Sequence, residues 1–336
     1  MNKDFHYYAT YYAARIAGYV PDHALIIANA AQFVDDFDFD KFKKVDSKHK
    51  AQTVQQIFDA GTSYNSTLNN IWLPFHFLPG NDAAYYKSLG SKLPDNFLNL
   101  LVRPDSRMAN DMFEQLKAVS NREYFLIMTG MLIHIFCDTW AHQDFAGCDC
   151  KALNDYSGKV IDLNMKKEID YRIIWGESYS PSKISNTGHA RLGSICDYPF
   201  MKYTYQPAWS NRQITKDNTA NFVTAFRRMV EKLREVRTGE LYKYVNDLGE
   251  IANIFKTYVD YSSANKYREQ TYGWKTFLHS KNEDIPDYND KLWMNAYKDA
   301  TNKSDTFLYK FAECAFCHHE YVAKKVNMNL MPPKIL

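Results

Sequence analysis

The stretch LIHIFCDTWAHQDF, residues 132–145, constrains the fold more than any other part of this 336-residue chain. His134, Asp138 and His142 are four residues apart, so in a helix they lie on one stripe that drifts by about 40° per step. The residues between them are apolar, which is typical of a buried core helix. Ionisable groups are costly there unless they are paired, hydrogen-bonded or bound to a metal. The stripe therefore predicts a metal site or a buried polar network.

The composition is that of a globular protein, with 46% apolar and 24% charged residues. A net charge of +2 gives no reason to expect nucleic acid or an anionic membrane as an obligate partner. The N-terminus lacks the basic and apolar regions of a signal peptide, and the most apolar segment, residues 124–137, is too short to span a bilayer. Six cysteines without regular spacing do not indicate a disulfide scaffold. We expect a cytoplasmic protein without a transmembrane segment; an exported mature form is the alternative.

Helical periodicity dominates and strand signals are weak, so the sequence predicts an all-α, multi-helical globular protein. The predicted helices are residues 4–18, 21–36, 50–60, 108–119, 121–142, 218–237, 240–260, 263–280 and 288–327. IWLPFHFLPG, residues 71–80, is predicted as a rigid apolar connection. The pattern divides the chain into a helical core, residues 1–210, with a long irregular excursion at 143–210, and C-terminal helices, residues 211–336, packed on that core.

Acidic residues end the second predicted helix, in FVDDFDFD at 33–40. Asp35 continues a helix face of small residues (Ala24, Ala28 and Ala31), so another element is expected to pack closely there. Carboxylates at a helix C-terminus oppose the macrodipole, and a bound metal would relieve this. The alternative is a solvated acidic turn, above all for Asp38 and Asp40. Asp36 points to another side of the helix. Gly130, one turn before His134, likewise predicts close approach of another backbone or of a ligand.

Other histidines are weaker candidates. His76 lies in an apolar, conformationally restricted segment where it needs a partner, and His6 heads a helix rich in Tyr and Ala. Taken singly, each is better explained as an ordinary hydrogen-bonded core histidine than as a metal ligand. His189 and Asp197, in GHARLGSICDYP, are predicted loop residues that would cap a site.

A competing motif lies near the C-terminus. CAFCH, residues 314–318, matches the C-x-x-C-H pattern of haem attachment, which requires export. The surrounding residues also form a continuous amphipathic helical pattern, in which two cysteines are often small buried side chains. A third interpretation is a separate structural zinc site formed by Cys314, Cys317, His318 and His319.

The order His6, Asp35/Asp36, His76 and HIFCD with a following histidine resembles the zinc-dependent phospholipase C and single-strand nuclease superfamily. The stretches DFHYYATYYAARIAGY, QFVDDF, WLPFHFLPG and DTWAHQDFAG also resemble an uncharacterised bacterial family of unknown function. The resemblance covers about residues 4–145, or to about 200. The chain differs from these enzymes in two respects. It spaces Asp138 and His142 as D-x3-H, whereas the enzymes have D-x5-H. It starts at Met1, whereas the enzymes use an N-terminal Trp as a ligand.

The resemblance implies a cluster of one to three zinc ions. Its central site would comprise Asp35 or Asp36 with His76, His134 and Asp138. His6 would serve a neighbouring zinc bridged by Asp138, His142 would serve a further one, and His189 with Asp197 would supply the later ligands.

The implied activity is a zinc-dependent hydrolase acting on phosphoester bonds of a small-molecule or lipid substrate. Asp35 or Asp36 would orient or deprotonate the attacking water, and the tyrosine-rich surroundings would supply stacking faces and hydroxyl donors for the substrate. Two alternatives stay open. One is a helical binding protein whose His/Asp cluster is a structural metal site or a buried polar network. The other is an electron-transfer protein that uses CAFCH.

Overall fold

A computed structural model describes residues 1–55, 66–169, 184–244, 246–257 and 268–326. Within these ranges the chain is mostly helical, as expected, but it also contains a small four-stranded antiparallel sheet. The prediction of an all-α class is therefore corrected to a mainly helical fold with a minor sheet.

The helices are α1 (Phe5–Ala9 as a π-helical turn, continued by Thr10–Ile16), α2 (Pro21–Phe33), α3 (Phe39–Lys44), α4 (Ser66–Phe75), α5 (Ala83–Ser88), α6 (Asp95–Leu98), α7 (Arg107–Asp111), α8 (Arg122–Ala141), α9 (Lys151–Asn154), α10 (Asn218–Thr238), α11 (Gly249–Lys256), α12 (Arg268–Ser280), α13 (Leu292–Asp299) and α14 (Phe307–Val326). The 3₁₀ segments are Met112–Ala118, Ala190–Cys196 and Lys303–Asp305. The strands are β1 (Tyr156–Asp162), β2 (Lys167–Glu168), β3 (Lys202–Pro207) and β4 (Ile214–Asp217).

Helix α8 lies at the centre of the fold. Asn121 begins it by accepting hydrogen bonds from the backbone N–H groups of residues 123 and 124. By length and hydropathy it resembles a membrane span, but every residue from 126 to 141 is buried in the protein, as in a core helix. It packs against α2, α10 and α14. The histidine stripe therefore lies inside the protein.

Gly130 fixes the distance between α8 and α2. A Cβ atom at this position would lie 2.3 Å from the carbonyl oxygen of Ile27 and 2.7 Å from the Cβ of Ala30. The close approach predicted for Gly130 is thus confirmed, with a second backbone as the partner. Of the predicted alanine face, Ala31 is among the three nearest contacts, through its backbone N at 3.1 Å. The result is that Asp35, just beyond α2, reaches the histidines of α8.

The sheet has the strand order β2-β1-β3-β4; strands β1 to β3 lie within residues 143–210, the segment predicted to be irregular, and β4 follows just after it. That prediction is wrong for the described residues, because KYTYQP alternates strictly, burying Tyr203, Tyr205 and Pro207. The strands have only two to seven residues, so their period was difficult to recognise. The sheet forms a second apolar core with Phe77 and with the 3₁₀ segment Ala190–Cys196, and it thereby supports the loop that carries His189 and Asp197.

Several helix boundaries differ from prediction. Residues 50–55 are not helical, and the rest of that predicted helix lies outside the described residues. Residues 71–75 belong to α4, which tolerates Pro74 in its last turn, so the connection begins only at His76. The helix predicted at 108–119 is α7 followed by a 3₁₀ segment.

The C-terminal predictions were too long. The helix predicted at 240–260 is reduced to α11, with residues 258–260 outside the described residues, and the described part of 263–280 is α12. The described part of the helix predicted at 288–327 is two helices, α13 and α14, because residues 300–306 leave the α-helical conformation and include a 3₁₀ segment. Helix α10 packs on α1 and α8, and α14 packs on α4 and α8, so these C-terminal helices share the main apolar core with the N-terminal ones.

Candidate metal centre

Three of the predicted ligands bring their donor atoms together around one point, and a fourth, Asp35, lies beside two of them. His76 Nδ1, His134 Nε2 and Asp138 Oδ2 lie 3.2–3.3 Å from one another. Asp35 Oδ1 lies 3.8 Å from both imidazole nitrogens. A tetrahedral zinc ion with bonds of about 2.0–2.2 Å separates its ligand atoms by about 3.3–3.6 Å. The spacing therefore fits a metal ion of that size, and buried His and Asp groups here can hold one.

Asp138 connects this group to a second one. Its Oδ2 faces His76 and His134, whereas its Oδ1 lies 3.1 Å from His6 Nε2. The His6 and His134 rings are stacked with centroids 3.8 Å apart. His6 reaches this position from the π-helical turn of α1, a type of wide turn that is often found at functional sites. One carboxylate thus offers an oxygen to each of two adjoining groups.

A third group lies beside them. His142, at the end of α8, places Nε2 3.1 Å from Asp197 Oδ1, and His189 Nε2 is 3.5 Å from Asp197 Oδ2. The ring of Phe77 stacks on His142 with centroids 4.5 Å apart. The structure therefore brings together all seven predicted metal ligands and also Asp197.

Backbone carbonyls fix the orientation of three imidazoles. His76 Nε2 lies 3.0 Å from Thr53 O, His142 Nδ1 lies 2.7 Å from His76 O, and His189 Nδ1 lies 2.9 Å from Gly193 O. A carbonyl oxygen only accepts, so each of these nitrogens donates its N–H. In a neutral imidazole the other nitrogen is then an acceptor, and in all three rings it faces a carboxylate oxygen. Two acceptors face each other favourably only with a cation or a shared proton between them, and the arrangement with a cation is the outer-shell pattern of metal-bound histidines.

Burial favours the neutral form of four of the rings. It lowers the pKa of His6 and of His189 to about 4, and it lowers the pKa of His76 and of His134. The Nδ1 atoms of His6 and His134 are buried without a hydrogen-bond partner in the described part of the chain. Imidazolium–carboxylate pairs, the alternative to a metal, are therefore disfavoured at neutral pH.

The carboxylates differ from one another. Burial alone would raise the pKa of Asp138, but His142, the α-amine of Met1 and His134 hold it well below its usual range. Asp197 behaves similarly beside His189 and that amine, so its pKa is also lowered. Burial and the neighbouring Asp138 instead raise the pKa of Asp35 well above its usual range. Asp35 is therefore the carboxyl group of the centre that holds a proton most readily.

The α-amine of Met1 is a group that the sequence analysis did not place in the site. It lies 2.6 Å from Asp138 Oδ1 and 3.3 Å from Asp197 Oδ1. Burial on its own would lower its pKa, but attraction to the carboxylates raises it to about 11. A protonated amine thus supplies positive charge between the second and third groups. No residue-type pattern signals this contact, because it depends on backbone and not on a side chain.

The two predicted catalytic acids occupy different places. Asp35 turns Oδ1 toward His76 and His134, and its side chain remains 31% exposed. Asp36 lies outside the three metal-competent groups and accepts hydrogen bonds from Tyr288 and Gln32. Asp38, by contrast, caps α3 through the backbone N–H of Lys41, as expected for an acidic turn.

A cavity of about 230 Å³ opens onto the centre. Its walls include the carboxylates of Asp35 and Asp197 together with Trp72 and Phe77. Among the described residues that line it there is no Lys or Arg side chain. Apart from Met1, whose α-amine is protonated and already paired with Asp138 and Asp197, an anionic ligand in this cavity would depend on bound cations for its neutralisation. Trp72, which the sequence analysis passed over, tilts against His76 with ring centroids 5.0 Å apart.

The tyrosines of α1 do not surround the cavity as expected. Tyr7, Tyr8 and Tyr11 are buried, and their hydroxyls donate to Pro286 O, Asp287 Oδ1 and Glu283 Oε2 respectively. These hydroxyls attach a C-terminal segment to α1 and do not face the cavity.

The CAFCH motif has a structural explanation. His318 is fully buried, its Nε2 donates to Pro74 O at 2.9 Å, and its Nδ1 accepts from the Gln115 amide at 3.1 Å. Both ring nitrogens are therefore already used. On the same helix Cys314 is buried while Cys317 is exposed, so the two thiols face different surroundings. This geometry fits neither haem ligation nor a shared zinc site.

Comparison with known proteins gives a family but no activity. The model of a family of unknown function, DUF6765, matches residues 1–326. This confirms the expected resemblance to an uncharacterised family. No curated protein and no solved structure matches the chain. The link to the phospholipase C and nuclease superfamily therefore stays a prediction.

Proposed function

We propose that this chain, which belongs to the DUF6765 family, is a metal-dependent hydrolase that acts on phosphoester bonds and binds one to three zinc ions. The observation that carries the proposal is the orientation of His76, His142 and His189. Each donates one N–H to a backbone carbonyl and directs its other nitrogen at a carboxylate.

Each proposed metal ion has its own set of candidate ligands. His76, His134, Asp138 and Asp35 would hold a central ion; His6 with Asp138, and His142 with His189 and Asp197, would hold the others. A bound zinc ion lowers the pKa of its water to about 7 and polarises a phosphoryl oxygen.

Asp35 would accept a proton only when it is not bound to the ion. It lines the cavity and its pKa is raised, so an unligated Asp35 carboxylate would take a proton from the attacking water more readily than an ordinary Asp, whereas Asp35 bound to the central ion would serve as a ligand alone. The cavity walls limit the substrate to a small phosphoester or to the exposed end of a larger one.

A structural metal site is the second candidate. The close trio of His76, His134 and Asp138 would favour it if Asp35 completed a closed set of four protein donors. The third group favours catalysis instead, because it has three side-chain donors and its members His142, His189 and Asp197 line the cavity. An open position beside a cavity is typical of catalytic zinc.

Elemental analysis with a matched assay tests the proposal. The purified protein, loaded with zinc, is compared with a His134→Ala, Asp138→Ala double variant and with His318→Gln, which changes a buried histidine outside the cluster. Stoichiometric zinc in the wild type and in His318→Gln, lost in the double variant, supports the metal centre.

Hydrolysis separates the two candidates. Bis(p-nitrophenyl) phosphate and a short-chain phospholipid are assayed with the same three proteins. Zinc-dependent turnover that the double variant lacks supports the hydrolase, whereas zinc binding without turnover supports a structural site. A folded wild type that holds no metal would refute both, and the cluster would then be a buried polar network.

A further inference from the structure

Behind the metal centre, a glutamine connects the two acids that end α2. The Gln32 side-chain amide nitrogen lies 3.3 Å from Asp35 Oδ2 and 3.3 Å from Asp36 Oδ2. An amide NH₂ group has two hydrogens, so it can donate one to each carboxylate. Since Asp35 Oδ1 faces His76 and His134, the bond from Gln32 turns the second oxygen of Asp35 away from the cluster.

The position of the Gln32 side chain lowers the stability of the folded protein. Gln32 is 4% exposed, and its Oε1 is buried without a hydrogen-bond partner in the described residues. A buried amide oxygen without a partner is destabilising, and such groups in native proteins call for an explanation. The explanation that the contacts offer is that the NH₂ end is needed between the two carboxylates.

The network extends to the C-terminal part of the chain. The Tyr288 hydroxyl donates to Asp36 Oδ2 at 2.7 Å, and its ring lies against Tyr7 with centroids 5.3 Å apart. Tyr288 belongs to residues 283–288, a segment without helix or strand that the α1 tyrosines also attach. A continuous chain of hydrogen bonds thus runs from this segment through Asp36 and Gln32 to Asp35.

We propose that Gln32, Asp36 and Tyr288 are positioning residues that hold Asp35 as a one-oxygen ligand of the central metal, so that segment 283–288 is part of the metal centre although it contributes no ligand. Asp36 then has a supporting role and not a catalytic one. The inference uses the metal centre of the proposed function, but it does not depend on which bond the protein hydrolyses.

The coupling between metal binding and the attachment of segment 283–288 acts in both directions. If attachment of segment 283–288 favours metal binding, metal binding must favour attachment of the segment by the same factor. Zinc is therefore expected to slow amide hydrogen exchange in residues 283–288, which lie outside the ligand set.

Zinc affinity is the primary measurement. Competition with a chelator is measured for the wild type, Gln32→Leu and Tyr288→Phe, and His76→Ala identifies the metal equivalent that belongs to the central site. Outer-shell substitutions weaken metal affinity by about 10–100-fold. We expect a loss in that range for Gln32→Leu, and about tenfold for Tyr288→Phe, which acts one bond further away.

Tyr8→Phe is the matched control. It removes a hydroxyl that bonds the same segment, at Asp287, but that has no connection to Asp35. Its central-site affinity should stay within about twofold of the wild type, and zinc should still protect residues 283–288. In Tyr288→Phe that zinc-dependent protection should be lost.

The outcomes are distinct. Equal central-site affinity in the wild type, Gln32→Leu and Tyr288→Phe overturns the inference, and so does equal weakening by Tyr8→Phe, which would indicate a general structural effect. Weakened zinc binding in the two test variants of a protein that hydrolyses no phosphoester supports the inference while the proposed activity fails. A wild type that binds no zinc refutes both.

Discussion

His318 provides a test of the packing of α14 that is independent of the metal centre. Its ring is fully buried, donates to Pro74 O and accepts from the Gln115 amide. Both contacts suit the neutral ring, since an imidazolium would turn a second N–H toward a protein group that already donates. Burial accordingly lowers the pKa of His318 to about 4, from an ordinary value of 6.5.

The sign and size of the effect follow from linkage. Because the folded pKa lies below the unfolded one, the unfolded chain takes up the proton first as the pH falls. The stabilising contribution is complete above pH 6.5 and is lost as the pH falls toward 4. At about 1.36 kcal/mol per pKa unit, the wild type should lose about 2.5 kcal/mol through this one residue between pH 7.5 and 4.5.

Urea unfolding with a chelator present measures this loss, because the chelator removes metal-linked proton binding from the comparison. His318→Gln keeps a donor for Pro74 and an acceptor for Gln115, but it does not titrate. We expect its free energy of unfolding to fall by about 2.5 kcal/mol less than that of the wild type over this pH interval. Parallel pH profiles for the two proteins would refute the assignment of a buried neutral ring.

Three other substitutions test the centre and its support. Gly130→Ala should lower the free energy of unfolding by at least about 2 kcal/mol, because its Cβ would contact Ile27 O; an unchanged urea midpoint would contradict the close approach. Gly193 has φ 62° and ψ −152°, and its carbonyl orients His189. Gly193→Ala should therefore bind one zinc equivalent less than the wild type, as measured by elemental analysis. An unchanged zinc content would show that the loop tolerates a side chain at this position. Asp35 has a raised pKa, so zinc binding should release more protons from it than from an ordinary Asp as the pH is lowered. Calorimetry in buffers of different ionisation enthalpy should find up to one fewer proton released by Asp35→Asn; equal release at every pH would exclude Asp35 as its source.

The helical part of the fold was predictable because its signals are local. The apolar run of α8, the Pro21 start of α2 and the glycine after α1 each identify an element within a few residues. The four-residue spacing of His134, Asp138 and His142 likewise determines their common face without reference to the rest of the chain.

The remaining features depend on long-range contacts. Asp197 is one of many loop carboxylates in the sequence, and it becomes a partner of His142 only because the short sheet and Phe77 support its loop. Tyr288 shows no periodic pattern that predicts a bond to Asp36. CAFCH is the opposite case. Its local pattern matches a haem motif, but in the folded chain the imidazole of His318 is already used for hydrogen bonds.

The wide separation of the interacting groups along the chain has a consequence for biosynthesis. The contact between His6 and Asp138 spans 132 residues, and that between His142 and Asp197 spans another 55. No single fragment emerging from the ribosome carries more than part of the ligand set until residue 197 has been made. Bringing such distant segments together has a loop-closure cost that must be met before the ligands meet, so the complete set would bind its metal only in a chain that has folded around these segments. Zinc in the growth medium should therefore affect the activity of the product more than its yield of folded protein.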